Sequence, residues 1–244
     1  MSRTDPASSA ADLVILALDT TTRAGSLAVY CRGRIDGVSV GDPTRSHGER
    51  LPGDISDLLD RAGVRVSDIT LFAVVNGPGS FTGLRVGIAA IQGLAMALGR
   101  NVVPVPALDA FAASTLVGDG RVGVWMDAQR QQVFAALYDK RDGRIVPAAP
   151  AVSWRPDAVV EAWQRDAVRI GTLIGDGIDL YGERARSAWP DARVITPAPP
   201  LAPIAAAIAA ARPGLAVAPH AIVPIYVRPS DAEIARDAPR SPRA

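Results

Sequence analysis

The sequence has few of the side chains from which metal sites and disulfides are built. Its 244 residues include one cysteine, Cys31, and two histidines, His47 and His220. A single cysteine excludes an intrachain disulfide, and these three side chains alone cannot assemble a Cys/His zinc site. Cys31 falls in an apolar, strand-like run, which favours an inert buried thiol over a reactive one.

The sequence also has no marked excess of either charge. Lys and Arg number 26 against 25 Asp and Glu, so the net charge is +1. Such a chain has no overall field that would pull it onto nucleic acid or an anionic membrane, and any RNA would be held mainly by another protein. The polar start MSRTDPASSAAD lacks an apolar signal core, and no uninterrupted apolar run reaches membrane-spanning length. We therefore expect a cytoplasmic protein.

A repeated pattern stands out against this background. Residues 14–35, VILALDTTTRAGSLAVYCRGRI, and 122–145, VGVWMDAQRQQVFAALYDKRDGRI, share an apolar strand ending in Asp, a polar bend, a second apolar strand and a Gly-containing turn. Each predicts a β-hairpin, with Asp19 and Asp127 in equivalent places and the extra residues of the second copy in its turn. Helical patterns follow both hairpins, so the sequence predicts two related α/β halves.

Other segments predict the elements around the hairpins. Apolar residues at helical spacing over 51–62 predict a helix. We expect Gly63 to end this helix and His47 to lie near its start. The run 69–79 predicts a buried strand with a turn, and the run 101–115 predicts a strand leading into a helix. An Ala-rich run, 198–214, predicts a late helix.

The segment 84–98 is almost uncharged, and two apolar stripes at helical spacing cover most of it. The stripes hold Leu84, Ile88, Ile91, Ala95 and Leu98, and beside them Gly83, Gly87, Ala90, Leu94 and Ala97. A helix that is apolar nearly all round is expected to be buried nearly all round. Either the chain's own late helices cover it, or it forms, with the 51–62 helix, a surface for a partner's helices. The spacing does not separate these two interpretations.

The glycine-rich loop NGPGSFTG precedes this segment. It lacks the Lys-Ser/Thr pair of a phosphate-binding Walker loop, because Leu84 and Arg85 stand there. Packing is the favoured interpretation: Ser80 or Thr82 can cap the helix, and Gly83 allows close backbone approach.

A second candidate site is the hairpin bend Asp19-Thr20-Thr21-Thr22. A carboxylate with three hydroxyls can cradle a phosphate and its magnesium, or it can be a turn satisfied by its own side chains. No nucleophile stands beside a base: Ser46 and His47 are sequence neighbours only, and Leu51 occupies the place where a helical two-histidine metal grip would need its second histidine.

The collected motifs resemble the TsaB (YeaZ) family, bacterial partners of TsaD in making threonylcarbamoyladenosine (t6A) on tRNA. The resemblance runs from about residue 13 to 228. Its most specific parts are ILALDTTT, HGERL, NGPGSFTGLRVGIAAIQGLAMAL, DAQRQQVFAALY, GDGIDLY and PIYVR.

The resemblance implies an actin/hexokinase/Hsp70-like (ASKHA) fold of two ribonuclease H-like subdomains, in agreement with the repeat. The expected division is a disordered tail at 1–12, an N-terminal subdomain with the docking helices at 13–112, a C-terminal subdomain at 113–228 and a flexible tail at 229–244. The bend at Asp19 lacks the glycine that nucleotide-binding relatives place after the Asp, so we expect a vestigial nucleotide site at Asp19, Thr20, Thr21 and Thr22.

The resemblance also implies a role without chemistry. The chain would be a non-catalytic scaffold that binds and activates the TsaD transferase, with TsaE completing the assembly and tRNA held through the complex. We expect no metal or cofactor on this chain alone, ATP and Mg²⁺ used by the complex, and a homodimer when TsaD is absent. The expected partner interface consists of His47, Leu51, Ile55, Leu58, Leu59, Leu84, Gly87, Ile88, Ile91 and Ala95. The alternative is an ATP-binding ASKHA-type kinase or ATPase acting alone; a peptidase has the least support.

Overall fold

A computed structural model of the chain describes residues 13–114 and 116–227. The tails expected at 1–12 and 229–244 lie outside the described residues. Between them the chain alternates strands and helices, as the sequence predicted.

The first sheet combines an antiparallel meander with parallel crossovers. Its strands are β1 (Ile15–Asp19), β2 (Ser26–Cys31), β3 (Arg34–Val40), β4 (Leu71–Val75) and β5 (Val102–Val105). The helices in this part of the chain are α1 (His47–Ala62), α2 (Phe81–Leu98) and α3 (Ala107–Ala113). The strand order is β3-β2-β1-β4-β5, with β1 antiparallel to β2 and parallel to β4.

The second sheet repeats this layout. Its strands are β6 (Gly120–Asp127), β7 (Val133–Arg141), β8 (Arg144–Pro147), β9 (Val152–Trp154), β10 (Thr172–Ile174) and β11 (Arg193–Val194). The later helices are α4 (Pro156–Arg165), α5 (Asp176–Ala188) and α6 (Leu201–Ala211). The order is β11-β10-β6-β7-β8, with β9 beside β7. Two such sheets form the predicted ASKHA fold of two ribonuclease H-like subdomains; the subdomain boundary at 112/113 stays a prediction.

The two hairpins confirm the repeat, with one correction. Asp19 ends β1 opposite Ser26, and Asp127 ends β6 opposite Val133. The turn of the second copy is not longer, as the sequence suggested. The extra length lies in the strands, because β7 has 9 residues and β2 has 6, which extends the ladder without disturbing register.

Helices α1 and α2 cover one face of the first sheet, and local signals set their ends. Ser46 and Glu49 form a capping box at the start of α1, and Gly63 ends it in the left-handed conformation. Ser80 caps α2 by accepting a hydrogen bond from the Gly83 N–H, and Gly99 ends α2 as Gly63 ends α1.

Helix α6 covers the opposite face of the first sheet. Its buried alanines pack with the other side of β1 and β4, and the Ala202 N–H donates to Ser26 Oγ on β2 at 3.0 Å. Small side chains allow this close approach. Helix α6 therefore does not cover α2. The short 3₁₀ helix Pro219–Ala221 does contact α2, so the two interpretations of α2 stay open.

Helix α2 begins at Phe81, so it is longer than the apolar segment 84–98 recognised in the sequence. Its 18 residues have a mean hydropathy of 1.5, and among the described residues it is the one helix long and apolar enough to span a membrane. One stripe of it packs in the core formed by α1 and the sheet. We therefore interpret α2 as a core-facing helix of an α/β fold.

Candidate functional site

The side chains expected to dock a partner lie in the chain's own core. All of them except the half-buried His47 are buried, and they pack against sheet residues such as Leu18, Phe72 and Val74. The buried set is Leu51, Ile55, Leu58, Leu59, Leu84, Gly87, Ile88, Ile91 and Ala95. The predicted interface residues therefore need a correction, because side chains that pack against the sheet are not available to a partner. The prediction that α1 and α2 are the docking helices remains untested.

The outer side of α2 is a different surface, which we call the outer α2 face. Its exposed or half-buried members are Phe81, Arg85, Val86, Ala89, Ala90, Gly93, Leu94, Met96 and Ala97. Met96 is 66% exposed, and a Cβ added at Gly93 would meet nothing within 4 Å. Most members are small or apolar, whereas an exposed helix surface is normally charged. The second apolar stripe of the sequence contains part of this face. Which stripe faces the sheet depends on how the helix is rotated against the sheet.

The C-terminal stretch of the described chain contacts α2 at Phe81 and at Gln92. Arg85 lies over the Phe81 ring, with its guanidinium carbon 3.9 Å from the ring centroid, and Tyr226 packs against the same ring at 5.4 Å. Gln92 Nε2 donates to the Pro219 carbonyl at 2.9 Å. The contacts of Tyr226 and Pro219 join residues more than a hundred positions apart, so no local sequence signal could have found them.

Gly79 and Gly83 of the NGPGSFTG loop, and Gly87 of α2, serve packing, as the sequence favoured. A Cβ at Gly79 would overlap Thr21, and one at Gly83 or Gly87 would overlap Thr20. Thr20 Oγ1 donates to the Gly83 carbonyl at 2.7 Å. The start of α2 is therefore fitted directly against the hairpin bend that follows β1.

The Asp19 carboxylate is engaged in hydrogen bonds within that bend. It accepts hydrogen bonds from the Thr21 N–H at 2.7 Å, the Thr21 hydroxyl at 2.5 Å and the Thr22 hydroxyl at 2.8 Å. Burial raises the pKa of Asp19, and these hydrogen bonds oppose the rise. Of the two interpretations of the bend, the geometry favours the self-satisfied turn.

The fold class implies an ATP–Mg²⁺ group, and the residues here do not fit its metal. The Asp19 oxygens already accept three hydrogen bonds within the bend. Among residues 13–114 and 116–227, no group of three or more His, Cys, Asp or Glu side chains is placed to hold a metal ion. We derive no chemical step through such a group.

A cleft of about 580 Å³ opens beside this bend. The N-terminal turns of α1 and α2 line one side, and Asp127 and Asp176 line the other. The Asp127 N–H donates to Asp176 Oδ1 at 3.1 Å. Burial raises the pKa of Asp176 to about 7, and the negative charges of Asp127 and Asp19 add to the rise. The GDGIDLY motif places Asp176 here, since Gly175 and Gly177 press against the β6 backbone at Trp125.

His47 takes part in a structural network rather than standing as a free base. Its ring hydrogen-bonds to the backbone of Thr22, and its Nδ1 lies 2.8 Å from Arg50 Nη2. The buried Arg50 also donates to the Ala24 carbonyl and pairs with Asp54. Burial, with the Arg50 charge, lowers the pKa of His47. The sequence does not predict the role of Arg50, because its hydrogen-bond partner, the Ala24 carbonyl, is 26 positions away.

Comparisons with known proteins were made against family models, curated sequences and solved structures. The family model "TsaD: tRNA N6-adenosine threonylcarbamoyltransferase" matches residues 34–173. The tRNA threonylcarbamoyladenosine biosynthesis protein TsaB of Escherichia coli (strain K12) is 32% identical, over 88% of this chain and 94% of that protein. The protein of the same name from Haemophilus influenzae is 35% identical, over 66% and 72%. The structure of YeaZ from Pseudomonas aeruginosa matches with a TM-score of 0.71 at 31% identity, covering 88% and 99%.

The paired ribonuclease H-like sheets and the cleft beside Asp19 define a protein of the actin/hexokinase/Hsp70-like class. Within that class, the chain belongs to the TsaB (YeaZ) family. The resemblance carried by the sequence motifs is confirmed.

Proposed function

We propose that this chain is a non-catalytic subunit of t6A biosynthesis on tRNA, and that it binds and activates a TsaD-type transferase, with TsaE completing the assembly. The single observation that carries the proposal is the exposed part of the outer α2 face, where the described chain leaves Ala89, Gly93, Met96 and Ala97 in contact with solvent. The names of the relatives supply the pathway. A cytoplasmic location belongs to the same proposal.

The non-catalytic role is supported by how the candidate groups are used. Asp19 is saturated within its bend, and His47 is tied to Thr22 and Arg50. Chemistry with ATP and Mg²⁺ would then belong to the partner proteins. The alternative, a kinase that acts alone through Asp19 and the Thr run, has less support: the cleft beside the bend could admit a ligand, but Asp19 accepts three hydrogen bonds within the bend.

Docking through the outer α2 face would follow from apolar burial. Each Å² of apolar surface removed from water contributes about 25 cal/mol before the costs of association. Gly93, Ala89 and Ala97 are small, so a partner helix can approach the α2 backbone closely. The same property predicts a homodimer through this face when the TsaD-type partner is absent.

Introducing a negative charge on this face tests the proposal. We expect Met96→Glu and Gly93→Glu each to weaken binding to the TsaD-type partner by at least about tenfold, because the interface would have to bury an unpaired carboxylate. Both positions are exposed, and Gly93 has open space for a side chain, so the fold should persist. Size-exclusion chromatography with light scattering on the chain, alone and mixed with its partner, measures both the dimer and the complex.

Leu180→Glu on α5 is the matched control, since Leu180 is also an apolar helical side chain, 60% exposed. It should leave complex formation unchanged. If both α2 variants form the complex as the unchanged chain does, the docking surface lies elsewhere.

A further inference from the structure

A groove of about 490 Å³ lies between β9 and α4, on the second sheet. One face of α4 forms its floor, where small and charged residues recur at helical spacing. Trp154, the last residue of β9, forms a wall. The lining residues on which the argument rests are Gln132, Ser153, Trp154, Arg155, Glu161 and Arg165.

Trp154 differs from the other tryptophans of the chain. Trp125, Trp163 and Trp189 are buried and form one cluster, with neighbouring ring centroids 6.1 and 5.8 Å apart. Trp154 is 43% exposed. Within residues 13–114 and 116–227, no other aromatic ring and no cation stacks on it. The groove therefore presents an unoccupied aromatic surface.

Two guanidinium groups stand at the ends of the groove. Arg155 is the N-cap residue of α4 and Arg165 is its last residue, and both are exposed. In the part of the chain that the structure describes, neither forms an ion pair, whereas Asp157 on the same helix is paired with Arg184. The rise of an α-helix separates the two arginines by roughly 15 Å, a span of two or three nucleotides.

Polar groups between the arginines complete the groove. Ser153 Oγ donates to Gln132 Oε1 at 3.4 Å, which places a hydroxyl and an amide beside the tryptophan. Glu161 lies on the floor. A carboxylate there can accept a hydrogen bond from the exocyclic amine of a base, and it would repel a bare phosphate.

We propose that this groove binds a short unpaired RNA segment of two or three nucleotides, with one base stacked on Trp154 and phosphates of the segment at Arg155 and Arg165. The inference rests on the proposed function, in which tRNA is the substrate of the assembly. Aromatic stacking with flanking cations is a usual mode of recognition for single-stranded RNA. Because the chain has a net charge of only +1, this contact would supplement the grip of the complex on RNA.

RNA affinity of point variants tests the inference. Fluorescence anisotropy would measure binding of a fluorescein-labelled tRNA transcript and a labelled single-stranded 12-nucleotide RNA, to the chain alone and to its complex with the TsaD-type partner. We expect Trp154→Ala to weaken binding by about fivefold or more, as for the loss of one stacked base, and Trp154→Phe to retain most of the affinity. Arg165→Glu should reduce the slope of log affinity against log salt by about 0.7. Arg144→Glu, an equal charge change on exposed β8, should weaken binding less than Arg165→Glu.

The outcomes separate this inference from the proposed function. Unchanged RNA affinity in both Trp154→Ala and Arg165→Glu, with the complex intact, overturns the groove and leaves the function standing. Absence of RNA binding to the chain and to the complex also overturns it. If Trp154→Ala releases the TsaD-type partner and leaves RNA affinity unchanged, the groove is a protein interface and the inference fails. If the unchanged chain never binds that partner, the proposed function fails, and the affinity of the chain alone for RNA still decides the groove.

Discussion

Asp19 and Asp176 show how differently two carboxylates can be placed beside one cleft. Asp19 is surrounded by donors from its own bend. Asp176 begins α5 and accepts a hydrogen bond from the Asp127 N–H, close to the charge of Asp127 itself. The repeat predicted the equivalent places of Asp19 and Asp127. The part played by Asp176 could not be predicted, because it depends on how closely α5 approaches the end of β6.

The pH dependence of stability reports on Asp176. Burial raises the pKa of Asp176 to about 7 in the folded chain, against an ordinary value of 3.8. Between these values the folded state keeps a proton that the unfolded state has lost, so stability falls as pH rises through that window. We expect Asp176→Asn to raise the free energy of unfolding by about 2–4 kcal/mol at pH 8, with little gain near pH 4. Urea denaturation at the two pH values measures this difference in stability. An equal gain in the free energy of unfolding at both pH values would refute the buried position of Asp176.

At the scale of secondary-structure elements, helix α2 carries most of the functional interpretation. Its existence, a hydroxyl cap at Ser80 or Thr82, and the packing role of Gly83 could all be predicted from the sequence. Its rotation about its own axis could not, because two apolar stripes compete and only contact with Phe72, Val74 and their neighbours selects one for the core. For that reason the sequence predicts docking residues on the stripe of α2 that the structure buries.

The same substitution on the two sides of α2 should have opposite effects. A Cβ at Gly87 would overlap Thr20 Oγ1, whereas one at Gly93 meets open space. We expect Gly87→Ala to destabilise the chain by about 1–3 kcal/mol through overpacking. Gly93→Ala should stabilise it by about 0.5–1 kcal/mol through higher helix propensity. Thermal or urea unfolding of both variants measures the difference, and equal effects would show that α2 is rotated differently.

At the scale of the whole molecule, the two halves are linked by the return of the chain to the first sheet. Helix α6 packs on β1 and β2, and the stretch at Pro219 and Tyr226 holds α2. The internal repeat predicted the two sheets. It could not predict these returns, which depend on contacts between distant parts of the chain. These contacts leave Ala89, Gly93, Met96 and Ala97 of the outer α2 face exposed, and that exposed part is the basis of the proposed role.

Thiol accessibility at position 96 tests that central claim most directly. Cys31 is the only cysteine and is buried, so Met96→Cys places one accessible thiol on the outer α2 face, and Leu180→Cys provides the same probe on α5. We expect a maleimide to label the position-96 thiol slowly when the TsaD-type partner is bound and quickly when the chain is held monomeric by dilution, with labelling at position 180 fast throughout. Equal labelling of position 96 with and without the partner would contradict docking through this face.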